Sequence, residues 1–413
     1  MVYRILFLGI GILTCTAFVR AKNIYVGPEK PITRIQEALK TAQDGDTIWV
    51  EKAYYAEGNL LIDKRIALIG INYPVLDGKF DYEIISVTAP GVYISGLALI
   101  NSGRKTMSDP AAIKVYDADS IHIENNYFAN NFFGIYLQYS EHSIVKNNYL
   151  IATQKEEYQS GNGIHCWKSK NLQIIGNKIE GHRDGIYFEF VTESIIWRNI
   201  AKNNMRYGLH FMFSHDDAYI GNYFENNGAG VAVMFTRNVT MINNTFKENR
   251  GDAAYGILLK ELSQCYLAGN TFIKNTTGIF LDGSNRITAE KNRFMGNGWG
   301  MRMQANCMDN IIRNNDFLGN TFDVSTNGTL TLNTFTENYW DKYEGYDLNK
   351  DKIGDIPYHP LSLFAVIVEK NPPAMLLYRS FMISLLDKSE KIIPSLTPQN
   401  FVDNNPKMQP NIR

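Results

Sequence analysis

Residues 219–246 read YIGNYFENNGAGVAVMFTRNVTMINNTF. Asn222 stands just before Tyr223 and Phe224, and the same mark returns 22 residues later as Asn244 before Thr245 and Phe246. Between them Gly230 opens a short run in which Val231 and Val233 alternate with Ala232 and Met234. A period this short, alternating and rich in β-branched and aromatic residues, cannot hold a pair of helices and fits one coil of a β-solenoid.

The mark extends in both directions. It occurs at Asn126, Asn148, Asn177, Asn199, Asn222, Asn244, Asn270, Asn292, Asn315 and Asn333, at spacings of 22, 29, 22, 23, 22, 26, 22, 23 and 18. In phase with it run Gly134, Gly163, Gly185, Gly208, Gly230, Gly256, Gly278 and Gly300. The expected fold is therefore all-β: a right-handed parallel β-helix solenoid with coils of about 22 residues, like residues stacking in ladders at about 4.8 Å. Amide-on-amide stacking would satisfy the recurrent asparagines. ITRIQEALKTAQDGDTIWV, with Ile32, Ile35, Ala38 and Leu39 on one helical face, predicts an N-terminal helical cap before the strand Thr47–Val50.

The ends differ. MVYRILFLGIGILTCTAFVRA reads as a signal peptide over residues 1–21, Arg4 preceding an apolar run too short for a permanent span, with cleavage after Ala21. Lipidation at Cys15 is a variant of the same export route. The solenoid is expected over 22–365, and a C-terminal helical extension and flexible tail over 366–413. Lys+Arg (41) and Asp+Glu (42) cancel, which leaves no basic face for a nucleic-acid partner. Cys166, Cys265 and Cys307 are odd in number and read as small buried residues rather than a disulfide framework.

Counting from each glycine assigns faces. The first and third positions are apolar in every coil, for example Leu209/Phe211 and Val231/Val233, and form the core. The second and fourth positions face outward: Tyr136/Gln138, His165/Trp167, Tyr187/Glu189, His210/Met212, Ala232/Met234, Leu258/Lys260, Phe280/Asp282 and Arg302/Gln304. His210 and Met212 thus share a face with Met234 one coil away, and His215 follows in the turn. Thioether and imidazole suit Cu(I) and are poor ligands for Ca²⁺ or Mg²⁺. His182 and Met205, each three residues before its glycine, form a second copper candidate. Packing under a loop or at an interface would explain the same residues, and Tyr136, Trp167, Tyr187 and Phe280 would also suit a sugar-binding face.

Two C-terminal features stand apart. Asp347, Asn349, Asp351 and Asp355 place oxygen atoms at alternating positions, as calcium loops do, although Lys352 stands where such loops use glycine. A helix is predicted from about Pro373 to Lys388, with Met375, Leu376, Phe381, Met382, Leu385 and Leu386 as an apolar surface for capping the solenoid or docking on a membrane partner. The residues from Pro398 onward read as a flexible tail.

With the leader, the GDTIWV entry, the Asn-marked coils and the closing NYWDKYEGYDLNKDKIGDIPY in view, the chain resembles the NosD family of periplasmic maturation proteins for nitrous-oxide reductase. The resemblance covers most of the chain; its most specific piece, Asn338-Tyr-Trp-Asp341 through Gly354-Asp-Ile-Pro-Tyr358, has relatives in other exported β-helix proteins. It implies a noncatalytic periplasmic protein that handles copper, works with an ABC transporter permease and ATPase, takes copper from a chaperone, and serves the apo nitrous-oxide reductase. It fixes no copper ligands. The competing readings are a β-helix polysaccharide lyase or hydrolase, for which Glu189, Asp282, Asp184, Asp216 and Asp217 are the available acids, and a noncatalytic sugar-binding surface protein.

Overall fold

A computed structural model describes residues 21–104, 109–153, 156–328, 332–392 and 401–411; the expected signal and Cys15 fall outside them, apart from Ala21. The chain winds into a parallel β-helix of about 13 turns. Its three faces are sheets of 14, 12 and 13 strands, in each of which every strand pairs in parallel with the one a coil earlier and the one a coil later. One continuous apolar core fills the interior from Val26 to Phe401.

The asparagine mark has two causes. First, the residue before each of the ten rungs takes positive φ, from 52° at Asn147 to 66° at Gly269, a conformation that Asn and Gly tolerate best. Second, each rung's side chain closes the bonding between coils. Asn222 Oδ1 accepts from the Asn199 backbone N–H at 2.9 Å, while its Nδ2 donates to Asn244 Oδ1 at 3.0 Å and to the Ile196 carbonyl at 2.9 Å. The tenth rung is Asn338, not Asn333: Glu337 supplies the positive φ, and Asn315 Nδ2 donates to Asn338 Oδ1 at 3.0 Å. Asn333 belongs to a different stack, under Asn310. Two residues beyond successive rungs, Phe224, Phe246, Phe272, Phe294, Phe317 and Trp340 stack down the core.

The glycine column marks a close approach. A Cβ on Gly230 would lie 2.4 Å from the Gly256 carbonyl oxygen and 3.2 Å from the Phe246 ring. Gly230→Ala is therefore expected to destabilise the protein by about 1–3 kcal/mol in denaturant unfolding.

The N-terminal helix α1 spans Ile35–Thr41, shorter than expected, and buries Ile35, Ala38 and Leu39 against the first coil. Ile32 lies outside it, in a bridge to Val26. At the other end the single helix predicted from about Pro373 to Lys388 is two elements, a 3-10 segment (Pro372–Leu377) and α3 (Phe381–Ile392), and a further helix, α2 (Leu363–Lys370), precedes them. The break falls at Arg379, whose φ is 65°. Glu369 on α2 pairs with Arg302 at 2.7 Å, which holds α2 over the end of the 12-stranded sheet.

The described part of the expected tail, 401–411, is built into the solenoid. Phe401 and Asp403 are buried. Asp403 Oδ2 accepts from the Asn338 backbone N–H, Asn338 Nδ2 and Trp340 Nε1 at 3.0–3.1 Å, so it closes the asparagine ladder. No periodic pattern marks this segment, which is why its sequence reads as a tail.

Candidate functional site

The outer face of the 12-stranded sheet carries the outward residues in the register that the glycines predict. Ile186↔Leu209↔Val231 are paired inside, while Tyr187↔His210↔Ala232 and Glu189↔Met212↔Met234 are paired outside. Facing outward does not make this row exposed. His165 and His210 are 8% and 7% accessible, because their neighbours are large rings. Phe133, Tyr136, His165, Tyr187 and His210 form a line of ring contacts 4.4–5.5 Å apart, with Tyr207 lying 4.8 Å from His210. Phe132, Phe133, Tyr136, Ala111 and Trp167 make a second, smaller apolar cluster there.

Burial fixes the protonation of this row. The pKa of His210 is pushed down to about 4 by desolvation, with Arg206 and Arg183 adding to it, and that of His165 to about 3 by desolvation, with Arg183, Lys114 and His210 adding to it. Both are neutral imidazoles near pH 7. His165 is an acceptor at Nδ1: Arg183 donates to Asn162 Oδ1 at 3.1 Å, which turns the Asn162 amide nitrogen onto His165 Nδ1 at 3.1 Å and leaves the ring proton on Nε2, which is buried without a partner among the described residues. His210 has no such partner, and its Nε2 is buried without a hydrogen bond among the described residues. On the same face, two residues along, Met212 accepts a hydrogen bond at Sδ from the Tyr187 hydroxyl at 3.6 Å. Met212 and Met234 are Cα partners, and both are half-buried.

His215 is not gathered into this group. The strand ends at Met212, the chain turns at Phe213 (φ 51°), and His215 Nδ1 accepts from the Arg237 backbone N–H at 3.3 Å. The second candidate pair is displaced by one residue. The 23-residue step between Gly185 and Gly208 carries an extra residue, so His182 donates its N–H to Asn204 Oδ1 at the head of a second asparagine column. Met205 meets it only through the backbone, donating to the His182 carbonyl at 2.9 Å. The His182 ring is buried with neither nitrogen bonded among the described residues.

The calcium expectation finds no site. Asp347 accepts from the backbone of Asp351 and Lys352, Asp351 from Ile353, and Asp355 from Leu348, so these carboxylates cap turns instead of converging. Among the described residues no three His, Cys, Asp or Glu side chains are placed to hold a metal ion; a thioether-rich site lies outside that description. The acids for an enzyme do not gather either. Asp184 and Asp217 are buried and their carboxyls are pushed up by desolvation, whereas Asp216 is exposed and accepts from Asn238 at 2.6 Å. The three cysteines are free and buried.

At the C-terminal end, apolar surface is left uncovered. Leu376 is 90% accessible and Phe381 84%, and Met382, Leu377, Leu385 and Met375 are exposed beside them. Leu386 instead packs against the core. No helix among the described residues is long and apolar enough to cross a membrane.

Fold and surface together define a β-solenoid with a closed interior, a ring-and-thioether outer face and an apolar end. A family model described as periplasmic copper-binding protein (NosD) matches residues 150–345. Proteins named probable ABC transporter binding protein NosD are 29% identical in Pseudomonas aeruginosa, over 90% of this chain and 91% of that protein, and 26% identical in Stutzerimonas stutzeri, over 90% and 89%. The chain is thus similar to NosD proteins over most of its length, and its middle matches the family model. Among solved structures, the catalytic domain of a GH87 α-1,3-glucanase in complex with nigerose superposes with a TM-score of 0.61 at 11% identity, covering 78% of this chain and 69% of that one. That likeness concerns the fold alone.

Proposed function

We propose that this chain is a periplasmic accessory protein that receives or presents copper, as Cu(I), during assembly of the copper site of nitrous-oxide reductase. It catalyses no covalent reaction itself. Copper would come from a chaperone and pass to the apo-reductase, while an ABC transporter's permease and ATPase supply work. The observation that carries this reading is His210, a buried neutral imidazole with an unpartnered Nε2, on one face with the in-register pair Met212 and Met234. Two soft thioethers and a neutral, borderline imidazole need lose no proton to take Cu(I). The family match over residues 150–345 supports the same chemistry, since that model is described as copper-binding and periplasmic. The apolar end formed by Met375, Leu376, Phe381, Met382 and Leu385 is assigned to the permease; the relatives' name, ABC transporter binding protein, supports this.

The test is an anaerobic Cu(I) titration of residues 22–413 against a competing chelator. Near-stoichiometric binding is expected, and it should be lost in His210→Ala/Met212→Ala/Met234→Ala. A wild-type protein that takes no Cu(I) would sink the copper reading.

A further inference from the structure

The ladder that holds Met212 and Met234 is charged at both flanks. Glu189 is the Cα partner of Met212 on one side, Lys260 is the partner of Met234 on the other, and Asp282 lies beyond Lys260. Each of these side chains is half-buried. Among the described residues no lysine or arginine forms an ion pair with Glu189, whereas many other half-buried carboxylates of this solenoid have one, such as Glu225 with Lys247 at 2.6 Å and Glu290 with Arg313 at 2.7 Å. Glu189 lies instead beside the Tyr187 hydroxyl, whose single proton is shared between that carboxylate and Met212 Sδ, 3.6 Å away.

We infer that Glu189 is the anionic member of the metal-handling face, the residue that makes it select a soft monovalent cation, and that Tyr187 is its positioning residue. The inference rests on the copper reading and deepens it. His210, Met212 and Met234 are neutral, so a cation held by them alone would leave uncompensated charge on a half-buried surface, which is costly. One carboxylate a strand spacing away, about 4.8 Å along the axis, cancels a single positive charge. A divalent ion would remain half compensated, and its harder chemistry gains little from thioethers. Lys260 opposes movement of the ion toward the next coil, so the charge order Glu189, Met212, Met234, Lys260 holds the cation at the Glu189 side. Tyr187 ties the carboxylate to the sulfur, occupying one lone pair of Met212 Sδ and leaving another for the metal.

The experiment is the Cu(I) competition titration on four single variants beside the wild type and Met212→Ala/Met234→Ala, with thermal unfolding of each metal-free protein. Glu189→Gln is expected to bind about 10–100-fold more weakly with an unchanged metal-free melting temperature. Glu189→Met adds a thioether but no charge and should still bind more weakly than the wild type. Lys260→Leu removes the opposing charge without adding a ligand and should tighten binding severalfold, a gain that no folding defect can mimic. Tyr187→Phe keeps the ring and should show a smaller loss than Glu189→Gln. If the wild type binds and Met212→Ala/Met234→Ala does not, yet Glu189→Gln or Glu189→Met binds as tightly as the wild type, the role of Glu189 is overturned and the copper reading stands. A wild type that takes up no Cu(I) overturns both.

Discussion

Asp403→Ala is expected to lower stability by about 3–5 kcal/mol, the largest effect of any single substitution considered for this chain. The Asn338 backbone N–H and Trp340 Nε1 would lose their acceptor inside a dry region, at about 1–3 kcal/mol for each stranded donor. Asn338 Nδ2 would lose one of its two acceptors and keep the Ile312 carbonyl. Asp403→Asn, which keeps one acceptor oxygen, should cost much less. Because each coil of a solenoid touches only its neighbours, the damage should be local. Hydrogen exchange is expected to speed up in the coils holding Asn315 and Asn338 and to remain slow near Asn148; uniform loss of protection would contradict this account.

Asn222→Leu is expected to cost about 2–4 kcal/mol from the middle of the same ladder. Leucine matches the volume but not the bonding. The Asn199 backbone N–H would lose its acceptor, and Asn244 Oδ1 and the Ile196 carbonyl would each lose a donor. Both oxygens accept a second bond in the stack, so the stranded N–H carries most of the cost. Asn222→Asp tests this division. It restores the acceptor but replaces the Nδ2 donor with a carboxylate facing Asn244 Oδ1, so it should be no better than leucine near pH 7 and improve as the pH falls and the carboxyl is protonated. Denaturant midpoints measured at the two pH values would check it.

The fold was legible because its two determinants are chemical and periodic. A left-handed corner followed by an amide that must bond along the axis leaves Asn or Gly before Asn in most coils, and a glycine is required where two backbones nearly touch. The same logic exposes the misreading at Asn333. Its spacing of 18 breaks the period, and Leu332 before it is no corner residue, while Glu337-Asn338 restores a spacing of 23. Register also placed Met212 beside Met234 and His210 on their face. Position along a strand says which way a side chain leaves the backbone; it does not say what covers it, and neighbouring rings bury His210. The offset between His182 and Met205 came from counting back from the glycine across a corner that holds one residue more. Asp403 was out of reach because a single side chain, with no repeat to mark it, makes the connection.

The ladder also has a direction. All ten side-chain amides, from Asn126 to Asn338, donate toward the C-terminal end. Their dipoles therefore add along the axis and polarise one another, with the positive pole at the last coil. The carboxylate of Asp403 sits at that pole. A further asparagine coil, whether from this chain or from another copy approaching end to end, would find the donor pair of Asn338 already taken by a charged acceptor. One side chain thus both neutralises the accumulated polarity of the stack and stops it from growing.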